Sequence, residues 1–359
     1  MPIVLLIATL LMFLGRSQSL SAEDRGGDEF LTGYIASILE RDLHWERGSY
    51  SLKIVNRMAT ITLLNDVAPA NQEEADKRLR TIEGLKGITF FVKQGDESTF
   101  LGITGNTEAF PTGDLFRPQI ADPKWPQFFV TLNRFKSTSG RYTMAAVGFG
   151  ESFGMLRFLG AREGDGLQLS VAGGIFAQFN MNTPSYNLIN ADYIIGVPVT
   201  YRYGPNSLRF RIYHQSSHLG DEFLQSINPA ERVNLSFEAL ELIYSLEWRG
   251  YRVYGGGEYL IHKEPGDLKQ KMTHWGVEYY GQRPLMGNGR LVAGVDIKSF
   301  EEHSWAQDTS AKIGLEFGHP NPGQRRLRIL AEWYKGYDPH GQFYNNKVEY
   351  FGMGVSLGF

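Results

Sequence analysis

From about residue 127 onward the chain alternates apolar and polar residues at every second position, over successive stretches of about ten to thirteen residues. "RLVAGVDIKSF" sets Leu291, Ala293, Val295 and Ile297 against Gly294, Asp296 and Lys298. "AKIGLEFG" opposes Ala311, Ile313, Leu315 and Phe317 to Lys312, Gly314 and Glu316. "RRLRILAEWY" does the same with Leu327, Ile329, Ala331 and Trp333 against Arg326, Arg328 and Glu332. A period of two belongs to β-strands, whose neighbouring side chains point to opposite faces, so this part must fold as sheet with one apolar and one ionic face.

In a soluble sandwich the apolar face is the core; in a membrane barrel it meets lipid and the ions line the lumen. Three features favour the barrel. Aromatic residues make up 13% of the chain, with 18 Tyr and 23 Phe, many at strand ends where interfacial girdles sit. The strands are longer than the ~5 to 6 residues usual in soluble sheets. The chain ends in "KVEYFGMGVSLGF", with Phe351, Met353, Val355, Leu357 and Phe359 on one face, which resembles the assembly signal of outer-membrane barrel proteins.

Strands are predicted near 127–136, 142–152, 167–179, 190–203, 207–217, 239–249, 251–262, 272–281, 290–300, 309–318, 325–336 and 347–359. The expected fold is therefore an all-β transmembrane antiparallel barrel of about 12 strands. With the N-terminus in the periplasm, connections after even strands should be short, and "GPN" after the fourth and "GY" after the sixth are. The inward charges, Arg209, Arg211, Glu241, Glu247, Arg252, Glu258, Glu278, Asp296, Lys298, Lys312, Glu316, Arg326, Arg328 and Glu332, have both signs. That mixture points to an ion-paired lumen, with a narrow, weakly selective channel as the functional alternative. "YGGGEY", with Gly255 to Gly257, reads as a strand bend or small-residue surface, because no helix opening on Gly-Lys-Ser/Thr follows it.

The first residues have another character. "IVLLIATLLMFLG" followed by "RSQSLSA" reads as a signal peptide over 1–22, too short for a spanning helix. Over 23–97 a small α+β domain of order αββαβ is expected: "DEFLTGYIASILERDL" puts Phe30, Ile35, Ile38 and Leu39 on one helical face, and Asn71 can cap a second helix in "NQEEADKRLRTIEGL". The piece "ATITLLNDV…ADKRLRTIEGLKGITFFV" resembles BON-type domains, which implies a periplasmic or membrane-adjacent binding role. A linker rich in Gly, Pro and Asp is expected over 98–126, before a barrel over 127–359. "FPTGDLFRPQIADPKWPQFFVTL" and "HQSSHLGDEF" are similar to the bacterial family catalogued as domain of unknown function 1207; that resemblance implies an exported, barrel-like protein and no particular activity.

The net charge of −3 and the lack of a basic patch argue against a nucleic-acid partner, and the absence of Cys removes thiolate chemistry. The chemistry-bearing stretch is "RIYHQSSHLGDEF". Parity puts His214, Ser216 and His218 on the lipid-facing wall, where polar groups are unusual unless the apolar belt ends there or they act on lipid. His214 and Ser216 are about 6.6 Å apart along the strand, so an imidazole can take the proton of a hydroxyl attacking an ester. This His-x-Ser resembles outer-membrane phospholipase A and the lipid A deacylase barrels, in which the pair acts on the outer wall; the resemblance implies Ser216 as nucleophile and His214 as base. The chain departs from it in having Ser217 and His218 after the pair.

The group orienting His214 is open among Asp221, Glu222, Asn234 and Glu238, with Asp221 taken as the first candidate. A zinc pair of His214 and His218 is weaker, since x3 spacing in a strand parts the rings by about 13 Å unless a turn begins at Ser217. The plain alternative is an exposed strand end turning at Gly220. No cofactor is expected beyond backbone amides or a divalent cation at the oxyanion. The expected function is a lipid-directed serine acyl hydrolase of the outer leaflet, with membrane lipid or lipopolysaccharide as substrate and the barrel assembly machinery as partner during biogenesis. The alternative is a non-enzymatic channel or envelope-organising barrel. Its place is the bacterial outer membrane, with the N-terminal domain in the periplasm.

Overall fold

The computed structural model describes residues 27–45, 48–63, 69–92, 100–137, 140–226, 233–318 and 325–358. The predicted signal segment and Phe359 lie outside them. The chain divides into two units, Met1–Ser98 and Thr99–Phe359.

In the first unit, helix α1 (Asp28–Ser37) widens into a π turn at Ile38–Asp42, followed by β1 (Tyr50–Val55), β2 (Met58–Leu63), α2 (Pro69–Leu79) and β3 (Gly87–Val92). The sheet order is β1-β2-β3, with β1 and β2 antiparallel and β2 and β3 parallel. Leu31, Ile35 and Leu39, spaced by four, form the buried face of the first helix. Each contributes about 1.5 to 3 kcal/mol when removed from water. Phe30, expected on that face, is 46% exposed; a period of four carries the stripe through its neighbour Leu31 instead. The β1–β2 turn at Asn56 and Arg57 has positive φ at both residues, and the Asp28 carboxylate accepts both of their backbone N–H groups at 2.8 Å. Asn71 lies inside the first turn of α2, which begins at Pro69, rather than at its cap.

The second unit opens with β4 (Ile103–Ala109) and continues through β5 (Phe128–Ser137), β6 (Gly140–Gly160), β7 (Gly166–Asn180), β8 (Leu188–Tyr203), β9 (Asn206–Leu219), β10 (Ser236–Trp248), β11 (Tyr251–Glu264), β12 (Lys271–Met286), β13 (Gly289–Phe300), β14 (Gln307–Gly318), β15 (Arg326–Tyr337) and β16 (Lys347–Gly358). Each strand from β5 to β16 pairs antiparallel with its neighbours, and β16 pairs with β5, closing a 12-strand barrel. Strand β6 outruns its partner: its first half pairs with β5 and its last residues with β4. Tight turns at 204–205, 249–250 and 287–288 join strands at the end where the barrel's chain enters, and Gly204, Gly250 and Gly287 supply their positive φ. The opposite end carries the long 220–235 connection with the short helix α3 (Asp221–Ser226). In β11, a Cβ on Gly256 would lie 2.8 Å from the Ile243 Cα, so the glycine permits close approach to β10 and holds no phosphate loop.

The barrel is polar inside and apolar outside. Ile195, Leu242, Val253, Val277, Ile313 and Met353 are exposed on its wall, while Arg209, Glu241, Arg252, Glu278, Lys312 and Arg328 are buried. This inversion is the membrane-barrel arrangement and rejects the sandwich. No helix among the described residues is long and apolar enough to cross a membrane. Tyr203, Trp248 and Tyr251 stay exposed at strand ends, as an interfacial girdle requires.

Of the segment expected as a linker, 103–109 forms the largely exposed β4, and the part from 111 to 126 enters the lumen. Phe116, Gln119, Ile120 and Ala121 have no exposed surface. The Ile120 N–H donates to Glu278 Oε1 at 2.5 Å, and Lys298 Nζ donates to Asp122 Oδ1 at 2.7 Å. Arg117 pairs with Glu247 at 3.2 Å, and Lys124 pairs with Asp192. The Arg209 guanidinium sits 4.8 Å from the Phe116 ring centre and 4.3 Å from that of Trp125, and Arg252 sits 4.6 Å from Phe116. Such contacts are worth about 2 kcal/mol each when desolvated. The prolines that forbid a helix here leave backbone groups free to meet barrel side chains: Gly113 O accepts from Gln168 Nε2 at 3.1 Å.

Candidate functional site

Strand β9 carries the chemistry because its two faces lie in different surroundings. Arg209, Tyr213, Gln215 and Ser217 are buried on the inner face; Leu208, Phe210, Ile212 and His218 are exposed, with His214 and Ser216 half-buried in the same outward series. The register places Ser216 between Tyr193 of β8 and Ser236 of β10, and His214 between Ile195 and Glu238. Serine and histidine thus stand two residues apart on the outer wall, near the end of the strand that leads to the 220–235 connection.

Glu238 supplies the orienting group. Its Oε1 lies 2.7 Å from His214 Nδ1. A carboxylate only accepts, so Nδ1 carries the hydrogen and donates, which leaves the Nε2 lone pair as the base. The His214 side chain is 40% exposed and that of Glu238 36%, and both lie near the strand ends that lead into the 220–235 connection. Glu238 makes a second contact: its Oε2 accepts from Nδ1 of His262 on β11, also at 2.7 Å. His214, Glu238 and His262 form one row across three strands.

Asp221, the first candidate for this role, is corrected. β9 continues through Leu219, which carries Asp221 beyond the strand to the start of α3, where it and Glu222 are exposed and neither bonds His214. Asn234 is exposed just before β10, and it too makes no bond to His214. The zinc pairing fails for the same reason: no turn begins at Ser217, and His218 packs edge-on against Tyr193 at 5.6 Å. No metal-holding cluster occurs among the described residues. Ser217 faces inward and donates to Asp192 Oδ1 at 2.5 Å, within a knot in which Asp192 Oδ2 accepts the Gly341 N–H at 3.0 Å.

His262 was invisible to simple hairpin counting. From the Trp248–Tyr251 pair the β10–β11 ladder runs regularly to Ala239–Leu260, which would set Ile261 opposite Glu238; a bulge there brings His262 into register instead. The one sequence sign was a histidine near the end of the neighbouring strand.

Ser, His and Glu in this order can perform acyl transfer. In such chemistry a serine hydroxyl gives its proton to the imidazole as it attacks, and the carboxylate stabilises the imidazolium that forms.

Among curated proteins none matches the sequence. A sequence family described as protein of unknown function (DUF1207) matches residues 49–359. Solved structures similar to the chain include an outer membrane phospholipase dimer with bound calcium from Salmonella typhi, at 13% identity over 67% of this chain and 94% of that one, with a TM-score of 0.45. Outer membrane phospholipase A from Escherichia coli is similar at 13% identity over 67% and 93%, TM-score 0.47. The KdgM porin is similar at 9% over 64% and 99%, TM-score 0.34.

Proposed function

The chain belongs to the DUF1207 family, and from the geometry of its outer wall we propose that it is a serine acyl hydrolase that cleaves the acyl ester of a membrane lipid. The observation that carries this is the 2.7 Å contact from His214 Nδ1 to Glu238 Oε1, with Ser216 two positions along on the same outward face. A polar trio has no packing reason to stand on a wall otherwise built of Leu208, Phe210, Ile212 and Leu242. Its placement near the strand ends suits a glycerolipid or lipopolysaccharide ester, whose carbonyl lies between hydrocarbon and headgroup.

In the reaction the Ser216 Oγ attacks the ester carbonyl while its proton passes to His214 Nε2. The tetrahedral adduct collapses, the alcohol leaves with the proton from His214, and the acyl group stays on Ser216. Water, deprotonated by the same nitrogen, then releases the fatty acid and restores the serine. Backbone amides at the strand end would hold the oxyanion.

In this reading the chain is exported by residues 1–22, inserted by the barrel assembly machinery into the bacterial outer membrane, and keeps its αββαβ unit, a BON-type binding module, in the periplasm. The channel alternative draws no support from a lumen filled by the 110–126 segment.

A fluorophosphonate probe tests the reading on barrel folded in detergent. Wild type should label and release fatty acid from phospholipid or lipopolysaccharide; Ser216→Ala should lose both by at least ~10³-fold. Labelling that persists in Ser216→Ala, or wild type that neither labels nor hydrolyses, sinks the proposal.

A further inference from the structure

Resting on that reading, we infer that His262 is a positioning residue of the same site: it holds the second oxygen of Glu238, so that one carboxylate is shared between two imidazoles. The contacts are symmetrical, 2.7 Å from Oε1 to His214 and 2.7 Å from Oε2 to His262, and both rings present Nδ1. A half-exposed glutamate has several rotamers open to it, and one donor leaves its carboxylate free to swing about that contact. Two donors on opposite sides fix its plane and keep Oε1 on His214. The bulge at Ile261 is what makes this available, because regular pairing would put an isoleucine opposite Glu238.

Sharing has an electrostatic consequence. While His262 is neutral it only orients Glu238, and the carboxylate's charge remains available to the imidazolium that forms on His214. The other groups around them are His218 on β9, Tyr193 on β8, Lys263 and Glu264 beside His262 on β11, and Lys271 opposite Tyr259 on β12; Lys263 is bonded to the Gly266 carbonyl and Glu264 stands in register with Ser236.

The test uses the full barrel folded in detergent micelles, with imidazole nitrogens labelled, as wild type, His262→Ala and His262→Asn. The His262 side chain is 74% exposed, so neither variant threatens folding, and heat-modifiable gel migration checks that. The nitrogen shift of His214 Nδ1, which reports its bond to Glu238, should move in His262→Ala and return to the wild-type position in His262→Asn. Fluorophosphonate labelling of Ser216 at neutral pH should slow about 3- to 10-fold in His262→Ala and stay within about 2-fold in His262→Asn, whose amide N–H replaces the imidazole donor without titrating. Identical His214 Nδ1 shifts in wild type and His262→Ala overturn the inference, as does an equal loss of labelling in both variants. A His214 Nδ1 shift that moves in His262→Ala and returns in His262→Asn, with no labelling of Ser216 in wild type, instead supports the shared carboxylate and overturns the hydrolase.

Discussion

Ser216 and Ser217 are adjacent and chemically identical, and they face opposite worlds. Ser217 lies 4% exposed in the lumen, bonded to Asp192 in a knot that also engages Lys124 of the inserted segment and the backbone of Gly341. Ser216 stands outside, in a row with Tyr193 and Ser236, and shares its face with a histidine already held by a glutamate. The two faces of β9 teach a rule for reading such barrels. Inside, charges such as Glu241, Glu278 and Glu316 are answered by Arg209, Arg252 and Arg328, and polarity serves the fold. On the wall, a polar group offsets nothing by being there, so a cluster of them calls for a chemical reason.

The sharpest break between the faces comes from removing one carboxylate on each. Glu241 accepts from Arg209 at 2.7 Å and from Arg211 at 2.8 Å. Glu241→Ala strands both cations inside and should lower stability by about 3 to 5 kcal/mol, read by denaturant unfolding in lipid vesicles. Glu238→Ala should leave stability within about 0.5 kcal/mol, as surface ion pairs do, and should slow labelling of Ser216 by about 10²-fold. A matching stability loss in the two variants would erase the distinction.

A subtler probe is pH. Asp122, on the inserted segment, is buried, which alone would raise its pKa, but Lys298 and His274 outweigh burial and hold it well below the ordinary 3.8. A depressed carboxylate contributes stability above its unfolded value and loses it as pH falls from there through the folded value. The segment should therefore stay seated down to the ordinary carboxylate value and loosen below it, seen as conductance appearing in planar bilayers only in strong acid. Conductance at neutral pH would contradict this. The smallest effect is expected of Ser217→Ala: a loss of about 1 to 2 kcal/mol from the luminal knot, with labelling of Ser216 within about 2-fold of wild type.

The strands were legible because their period is set by backbone geometry that no tertiary contact can change, and parity on β9 sorted His214 and Ser216 from Arg209 and Ser217 correctly. The 98–126 segment was not legible. The burial of its 111–126 part is conferred by Glu247, Glu278 and Lys298, residues far along the chain, and nothing in a run of prolines and glycines announces that it is wanted inside. Glu238 stood among four open candidates because the 220–235 connection hides the β9–β10 register. His262 was out of reach, since a single bulged residue decides whether it or Ile261 faces the glutamate.

The inserted segment also bears on how the barrel comes to be. Neighbouring strands can zip together as they emerge, each closing a short loop. Asp122 must wait for Lys298, 176 residues later, and it lies just ahead of β5, the strand that closes the ring against β16. Long loops are slow to close. The seam and the stopper are thus bound to one late event, and a chain caught before it would be an open, leaking sheet whose first strand is still searching for its last.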